Sequence, residues 1–384
     1  MSANRTDTGR APIRVLHVIT DLRVGGAELQ LARLIATAPS AGASVEVVGV
    51  VCLGVGGDVA DALTARGVTV WRLGARSPVG LVAAGYRLGR ILRAERAEVV
   101  IAWLYHAMIA AVLPFVVPST CAVVWNVRGT VPTQRDKHST RLAVLLSRYC
   151  AGLADRIIYN SRSARLEHEA IGFPRAVGSL IANGYETSPE VPTSSAGTGD
   201  GVPSLLLAAR YHPMKDFGTF LLAVRKLRER GVKVRVRLVG EGCDPTNRGL
   251  LSLLESTGTA ADVELGGIVR DMRPEYRRAT VVCSASAWGE GFQNVLAEAA
   301  LEGAMLVSTD VGDASELVSD ARCLVAPGDP SALAAALEYA AFLSDSERRE
   351  RAAAHRRRIC EQYSARTMRD RYDALCVSVA GRSM

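Results

Sequence analysis

The chain has 384 residues, 48% hydrophobic and 22% charged, with a formal net charge of +7. That length suggests two domains, and the composition is ordinary for a globular protein with buried cores. The eight cysteines form no Cys-x-x-Cys pair and no His/Cys cluster, which excludes those metal and redox signatures and points to reduced, buried thiols in a cytoplasmic protein. No zinc-finger spacing, aromatic stacking signature or basic heptad region accompanies the positive charge, so nucleic acid is not expected as a partner.

The first residues, "MSANRTDTGRAPIR", carry no apolar run behind their charges and do not read as a signal peptide. "IRVLHVIT" then forms a predicted strand. The loop "DLRVGG" follows, and after it a helix whose Leu31, Leu34, Ile35 and Ala38 recur at helical spacing. "SVEVVGVVCL", "VTVWRL", "AEVVIAWL", "CAVVWNV", "DRIIYNS" and "AVGSLIANG" continue as short apolar strands separated by helical or turn-rich pieces. Such continuous apolar strands suit a parallel sheet covered on both faces. Val99 to Val117 carries no formal charge over nineteen residues, close to a membrane-spanning length. His106, Pro114 and the surrounding strand–helix rhythm favour a buried strand followed by a buried helix.

Residues 186–203, "ETSPEVPTSSAGTGDGVP", are rich in Ser, Thr, Pro and Gly and read as a linker. A second run opens with "SLLLAAR", then a helix with Phe217, Phe220, Leu221 and Val224 on one face. The strands "VKVRVRLVG", "DVELGG", "ATVVCSA" and "AMLVSTD" follow, with helices between them, and the chain is mostly helical from Pro330. The expected architecture is α/β: two Rossmann-like doubly wound domains facing a central cleft, with ligands at the carboxyl ends of the strands. The expected bounds are 12–185, the linker 186–203, 204–363, and a C-terminal helix at 364–384 packing back on the first domain.

Charge is unevenly placed. Residues 128–165 hold eight Lys/Arg and two acids, and residues 345–382 hold ten Arg and six acids. A basic face meets anionic lipid headgroups or a phosphorylated substrate, though a solvated surface has the same pattern.

The motifs lie just after strands. In "GEGFQNVLAEAALEG", Gly289 and Gly291 allow a tight turn, and a helix opens near Phe292. Its first amides, through Gly291, Phe292, Gln293, Asn294 and Val295, favour a phosphate. Glu290 and Glu298 stand on either side of that helix start, roughly 9 Å of axial rise placing Glu298 about two turns in. Ionised carboxylates are pure acceptors, suited to sugar hydroxyls, so the pair fits the two sugars of a nucleotide-diphosphate sugar. Spacing alone also fits two surface charges. In "AARYHPMKDF", Arg210 and Lys215 flank a loop where two cations can neutralise a departing diphosphate. Gly25 and Gly26 let backbone approach a ligand before a helix N-terminus, as an ordinary turn also does. His106 follows a strand as a switchable proton donor or a satisfied core histidine. Asn126 and Arg128, in "WNVRG", either hold an acceptor or brace a loop.

Taken together, these residues resemble the retaining glycosyltransferases of family 4, whose GT-B fold is two facing Rossmann-like domains. The Glu-x7-Glu motif is matched by Glu290 and Glu298, the Arg and Lys pair by Arg210 and Lys215, and the glycine-rich first loop by Gly25 and Gly26. Asn183 and Gly184 match the "NG" after the last strand of the first half. "VGEG" at 239–242 and "STDVGDASELV" at 308–318 match further segments. Gln293 departs, standing where many members have Pro or another apolar residue. The resemblance implies a metal-independent hexosyltransferase with no cofactor beyond its nucleotide-sugar donor, by family frequency a UDP-sugar. It implies Arg210 and Lys215 on the diphosphate, Glu298 on the ribose, and Glu290 with Gly291 to Asn294 on the donor sugar and phosphate. Gly267 and Arg270, in "GIVR", would lie by the base, and His106 would face the reacting sugar. Polysaccharide-assembly members are similar around "WNVRG" and the basic stretch after it. The charge surplus at 128–165 beside apolar segments, in the half that receives the acceptor in this fold, leads to the expectation of a lipid-linked saccharide acceptor, with the enzyme cytoplasmic or peripheral on the inner face of the cell membrane. A transferase acting on a soluble metabolite, a GT-B nucleotide-sugar epimerase and a non-catalytic nucleotide-sugar-binding protein remain as alternatives.

Overall fold

The computed structural model describes residues 11–39, 44–75, 77–113, 116–134, 138–188 and 201–381. The greater part of the expected linker, 189–200, lies outside the described residues, as do Pro114 and residues 135–137 of the basic stretch. The chain divides into two compact units. The first comprises residues up to 160, 164–184 and those from 365 onward; the second comprises 161–163 and 185–364.

The first unit alternates strand and helix: β1 (Ile13–Ile19), α1 (Gly26–Ala36), β2 (Val45–Cys52), α2 (Asp58–Ala65), β3 (Val70–Arg72), α3 (Pro78–Ala94), β4 (Val99–Trp103), α4 (Tyr105–Val112), β5 (Ala122–Val127), α5 (His138–Cys150), β6 (Arg156–Tyr159), α6 (Arg162–Ala170) and β7 (Gly178–Leu180). The seven strands pair in parallel in the order β3-β2-β1-β4-β5-β6-β7. The order reverses between β1 and β4, the switch point where doubly wound sheets receive ligands at their carboxyl ends. Side chains alternate across the sheet, so one core gathers Val15, Ile19, Ile101 and Val124 and the other Leu16, Val18, Val100 and Trp125. Within the uncharged 99–117 stretch, Val99–Trp103 are β4 and Tyr105–Val112 the short α4. No helix among the described residues is long and apolar enough to cross a membrane.

The second unit holds β8 (Ser204–Ala208), α7 (Phe217–Glu229), β9 (Arg235–Val239), α8 (Arg248–Thr257), β10 (Val263–Leu265), α9 (Arg273–Arg278), β11 (Val281–Ser284), α10 (Asn294–Leu301), β12 (Met305–Thr309), α11 (Ala314–Leu317), β13 (Leu324–Val325), α12 (Pro330–Ala341) and α13 (Asp345–Gln362). Its parallel order, β10-β9-β8-β11-β12-β13, has its switch point between β8 and β11. β13 was not expected: two residues are too few to show a period. The helix starts are capped as the sequence dictates. Asp216 accepts from Thr219 N at 3.1 Å to start α7, and Asp329 accepts from Ser331 N and Ala332 N at 2.9 Å before Pro330 of α12.

The last helix, α14 (Ala365–Ala380), supplies core to the first unit. It buries Met368, Tyr372, Leu375, Cys376 and Val379 among the strands β1, β2 and β4. Tyr372 stacks on Trp103 at 6.0 Å, and its hydroxyl accepts from Asn126 Nδ2 at 2.7 Å. Gly184 makes room for it: a Cβ there would stand 2.7 Å from Met368 Cβ and 2.8 Å from Ala365 Cα.

Three buried histidines set the acid response. Burial holds His17 down to about 3 and His168 and His355 to about 4. In the unfolded chain an imidazole titrates near about 6.5, so below that pH the unfolded state takes up protons that the folded state refuses. Their contribution is fully present above about pH 6.5 and is lost as pH falls toward 4. The urea midpoint is therefore expected to hold steady from pH 8 to 7 and to fall progressively between pH 6.5 and 4.5. An unchanged midpoint across that lower window would contradict the burial assigned to these groups.

Candidate functional site

In the second unit the loops at the carboxyl ends of the strands are stitched to one another through backbone. Tyr211 N donates to Glu241 O at 2.8 Å, Gly240 N to Gly267 O at 2.7 Å, and Gly267 N to Cys243 O at 2.8 Å. Gly240 has φ +136, and a Cβ there would lie 2.2 Å from Ala209 O, so only glycine lets the β8 and β9 loops approach this closely. Arg210 and Gly267 are thereby held on either side of the "GEG" turn. Arg210 is exposed and makes no side-chain hydrogen bond or ion pair among the described residues. Arg270 is exposed beyond Gly267.

Lys215 ends a single 3-10 turn, Pro213–Lys215, directly before the cap of α7. Its ammonium pairs with Glu290 Oε1, and Ser286 Oγ donates to that same oxygen at 2.6 Å. Both partners are sheltered, Lys215 retaining 20% and Glu290 11% of side-chain exposure. Ser286 is itself fixed, its carbonyl accepting from Thr309 Oγ1 at 2.6 Å. Ala287 N donates to Met214 O at 2.8 Å, closing the β8 turn against the β11 turn. The structure thus joins Lys215 to Glu290, two residues 75 positions apart. It makes the carboxylate the lysine's counter-ion and leaves Arg210 as the uncommitted cation beside them in the loop order.

The helix after the glycine turn begins at Asn294 with Gln293 as its N-cap, two residues later than Phe292, where the sequence placed it. The physical reason is side-chain packing. Phe292 stacks on Tyr185 at 6.0 Å and meets Tyr363 edge-on at 5.0 Å, while Gln293 Nε2 donates to Val311 O at 2.9 Å. Asn294 accepts from the Tyr185 hydroxyl. Below the turn, Gly312 has φ +66, and a Cβ there would sit 2.4 Å from Glu290 O and 2.5 Å from Gly291 O. Asp313 N donates to Gly291 O at 3.0 Å. Gln293, the residue that departs from the family pattern, is therefore a strut to the β12 loop. Val295 and Glu298 are half-buried on α10, and Glu298 Oε2 accepts from the Tyr276 hydroxyl at 3.3 Å. With the helix start moved, Glu298 stands about 6 Å along the axis from Asn294.

In the first unit, Gly25 is the extended N-cap of α1 and Gly26 is its exposed first residue. The Glu28 carboxylate folds back over this helix start, since a Cβ on Gly25 would meet Glu28 Oε2 at 2.4 Å. Burial pushes the Glu28 carboxyl up. His106 is the second residue of α4, half-buried, and burial lowers its pKa, which leaves a neutral imidazole at pH 7. Leu104, the cap before it, has φ 68 and ψ 154, a costly conformation for a residue with a side chain. Asn126 is fully buried and its amide nitrogen donates to Tyr372, so the structure places it as a brace to α14. Arg128 donates to Asn183 Oδ1 and lies 5.0 Å over the Trp103 ring.

Ser286 and Tyr276 were not singled out in the sequence, and the Gly312–Asp313 turn only as part of the 308–318 segment. Ser286 sits four residues before Glu290, a legible signal; Tyr276 sits on a different helix, and nothing local connects it to Glu298. Among the described residues no group of three or more His, Cys, Asp or Glu could hold a metal ion.

A family model described as Glycosyltransferase Family 4 matches residues 24–189, and one described as Glycosyl transferases group 1 matches residues 202–341. Among solved structures, HepE of Anabaena in complex with UDP is similar at 18% identity, covering 95% of this chain and 100% of that one, with a TM-score of 0.77. Sucrose-phosphate synthase from Thermosynechococcus elongatus is similar at 16% identity, 97% and 100% coverage and a TM-score of 0.75. The lipopolysaccharide outer core galactosyltransferase WaaB in its apo form is similar at 14% identity, 95% and 100% coverage and a TM-score of 0.72. Likenesses at these identities speak to fold. No curated protein matches the sequence.

Ser286→Ala removes a donor to a sheltered carboxylate. It is expected to destabilise the fold by about 1.5–3 kcal/mol, the range for a hydrogen bond to a charged group. Equilibrium urea unfolding of the variant checks this; a change below about 0.5 kcal/mol, the scale of an ordinary surface substitution, would contradict the placement of Ser286.

Proposed function

We propose a reaction for this chain, which belongs to the family 4 glycosyltransferases and has their GT-B fold: it moves a hexose or N-acetylhexosamine from a UDP-sugar to a saccharide hydroxyl with retention of anomeric configuration. The acceptor is lipid-linked, and the reaction belongs to surface polysaccharide or glycoconjugate assembly at the inner face of the cell membrane. The observation that carries the reading is the convergence of Lys215, Glu290 and the α10 N-terminus at the carboxyl end of the second sheet. The choice of base is supported by HepE, whose structures hold UDP and UDP-glucose. WaaB, by its name a lipopolysaccharide galactosyltransferase, supports the lipid-linked acceptor. Sucrose-phosphate synthase favours a second reading, a soluble sugar acceptor.

In this reaction the bond from the anomeric carbon to the diphosphate oxygen breaks, and the diphosphate keeps the electron pair. The acceptor oxygen bonds to the same carbon and passes its proton to the departing diphosphate. Negative charge therefore grows on the diphosphate, and only interactions stronger at that moment speed the step. Arg210, Lys215 and the amides of residues 291–295 supply that stabilisation. Glu290 orients Lys215 and accepts from donor-sugar hydroxyls, while Glu298 accepts from the ribose. Gly267 and Arg270 border the base, and Gly25 and Gly26 admit the donor from the first unit. His106, neutral at pH 7, accepts or donates a hydrogen bond at the reacting sugar, and Arg128 serves the acceptor with Asn126 bracing its strand. No metal ion takes part.

Lys215→Ala is expected to lower the transfer rate about 10²–10³-fold, the scale seen on removing one oxyanion donor, and Glu290→Ala, which strips the lysine of its counter-ion, to lower it as well. Transfer from UDP-sugars in membrane extracts checks this, with the product anomer read by NMR. Rates near wild type in both variants, or an inverted product, would contradict the reading. An epimer formed from donor alone would replace it with an epimerase.

A further inference from the structure

We propose that the outer face of α5 docks the first unit on an anionic membrane surface. The purpose of this contact rests on the lipid-linked acceptor reading; its location rests on α5 alone. The helix is packed with its small side chains inward. Ala143, Val144 and Ser147 are buried, while Leu142, Leu145, Leu146 and Tyr149 are 56%, 48%, 46% and 76% exposed. Positions i, i+3, i+4 and i+7 form one stripe on a helix, so these four side chains share a face. Leu153, just beyond the helix, adds a fifth at 62% exposure. Single exposed leucines are ordinary on a protein surface, but a contiguous apolar stripe marks an interaction site. The inward face packs on α4, whose Ala107, Ala110 and Ala111 are buried. Small against small brings the two helices close, and leucines turned inward there would overpack the contact.

Charge selects the occupant. α5 carries Arg141 and Arg148 and no acid, and Arg156 follows it. The Arg148 guanidinium lies 5.8 Å over the Tyr149 ring. An apolar stripe flanked by arginines is the pattern of helices that lie in a membrane interface, with long basic side chains reaching up to the headgroups and tyrosine at the boundary. Two copies of this face would instead bring like-charged arginines together. The position also fits. α5 follows the loop that leaves the carboxyl end of β5, and β5 pairs in parallel with β4, whose carboxyl end carries His106. The start of α5 therefore lies toward the same edge of the unit as His106.

Flotation of the full chain with phosphatidylcholine vesicles, with and without phosphatidylglycerol, tests this across a salt series. Wild type is expected to float with the anionic vesicles at low salt and to be released as salt rises. Leu142→Gln with Leu145→Gln should weaken binding at least about tenfold. Arg141→Gln with Arg148→Gln should weaken it about 25-fold at low salt, about fivefold per charge. The UDP-induced rise in melting temperature should stay at the wild-type value in both variants, which separates failure here from failure of the donor site. No flotation of wild type, equal flotation on neutral vesicles, variants that float as wild type, or a lipid-free dimer that the leucine variant dissociates would each overturn the proposal.

Discussion

A sheltered ion pair between Lys215 and Glu290 joins the turn after β8 to the glycine turn before α10. These two turns sit on the strands that flank the switch point of the second sheet, so the pair fixes the site where the topology opens. Removing either partner would strand a half-buried charge, which is far more disruptive than losing a surface ion pair. Ser286 and Thr309 extend the pair into the sheet, and Gly312 lets the β12 loop lie directly beneath the Glu290 and Gly291 carbonyls. The consequence is a preorganised arrangement: cation, carboxylate and helix amides are positioned by backbone and buried hydrogen bonds before any substrate energy is spent.

The first unit is organised by a different constraint. Its last core layer comes from α14, Tyr372 lying 246 positions beyond Asn126 of β5, and the contact is specified by Trp103, Asn126, Tyr372 and the absent side chain of Gly184. This layer covers the strands whose carboxyl ends carry His106 and Arg128. The strained backbone at Leu104 is tolerated because α4 and the sheet hold both sides of it.

Most strands were legible in the sequence because central strands of a parallel sheet are continuous apolar runs, and the glycine and acid–base motifs fall just after them. The rest depended on contacts distant along the chain. Phe292 looked helical by its neighbours, but rings from Tyr185 and Tyr363 keep it outside α10. Asn126 looked available at a strand end, but it is buried in the interior with its amide nitrogen donating to Tyr372. β13 was too short to show a pattern. In α5 the large apolar residues face outward, an inversion that periodicity cannot reveal because it marks the apolar face without saying what covers it.

The central claim is that the second unit grips a diphosphate through a cationic pair and main-chain amides. Calorimetric titration with UDP and with uridine measures this most directly, since the two ligands differ only in the group being gripped. UDP is expected to bind at least about 100-fold more tightly than uridine, about 2.7 kcal/mol, with most of that gap lost in Arg210→Ala. Equal affinities for the two ligands, or a gap that survives the substitution intact, would contradict the account.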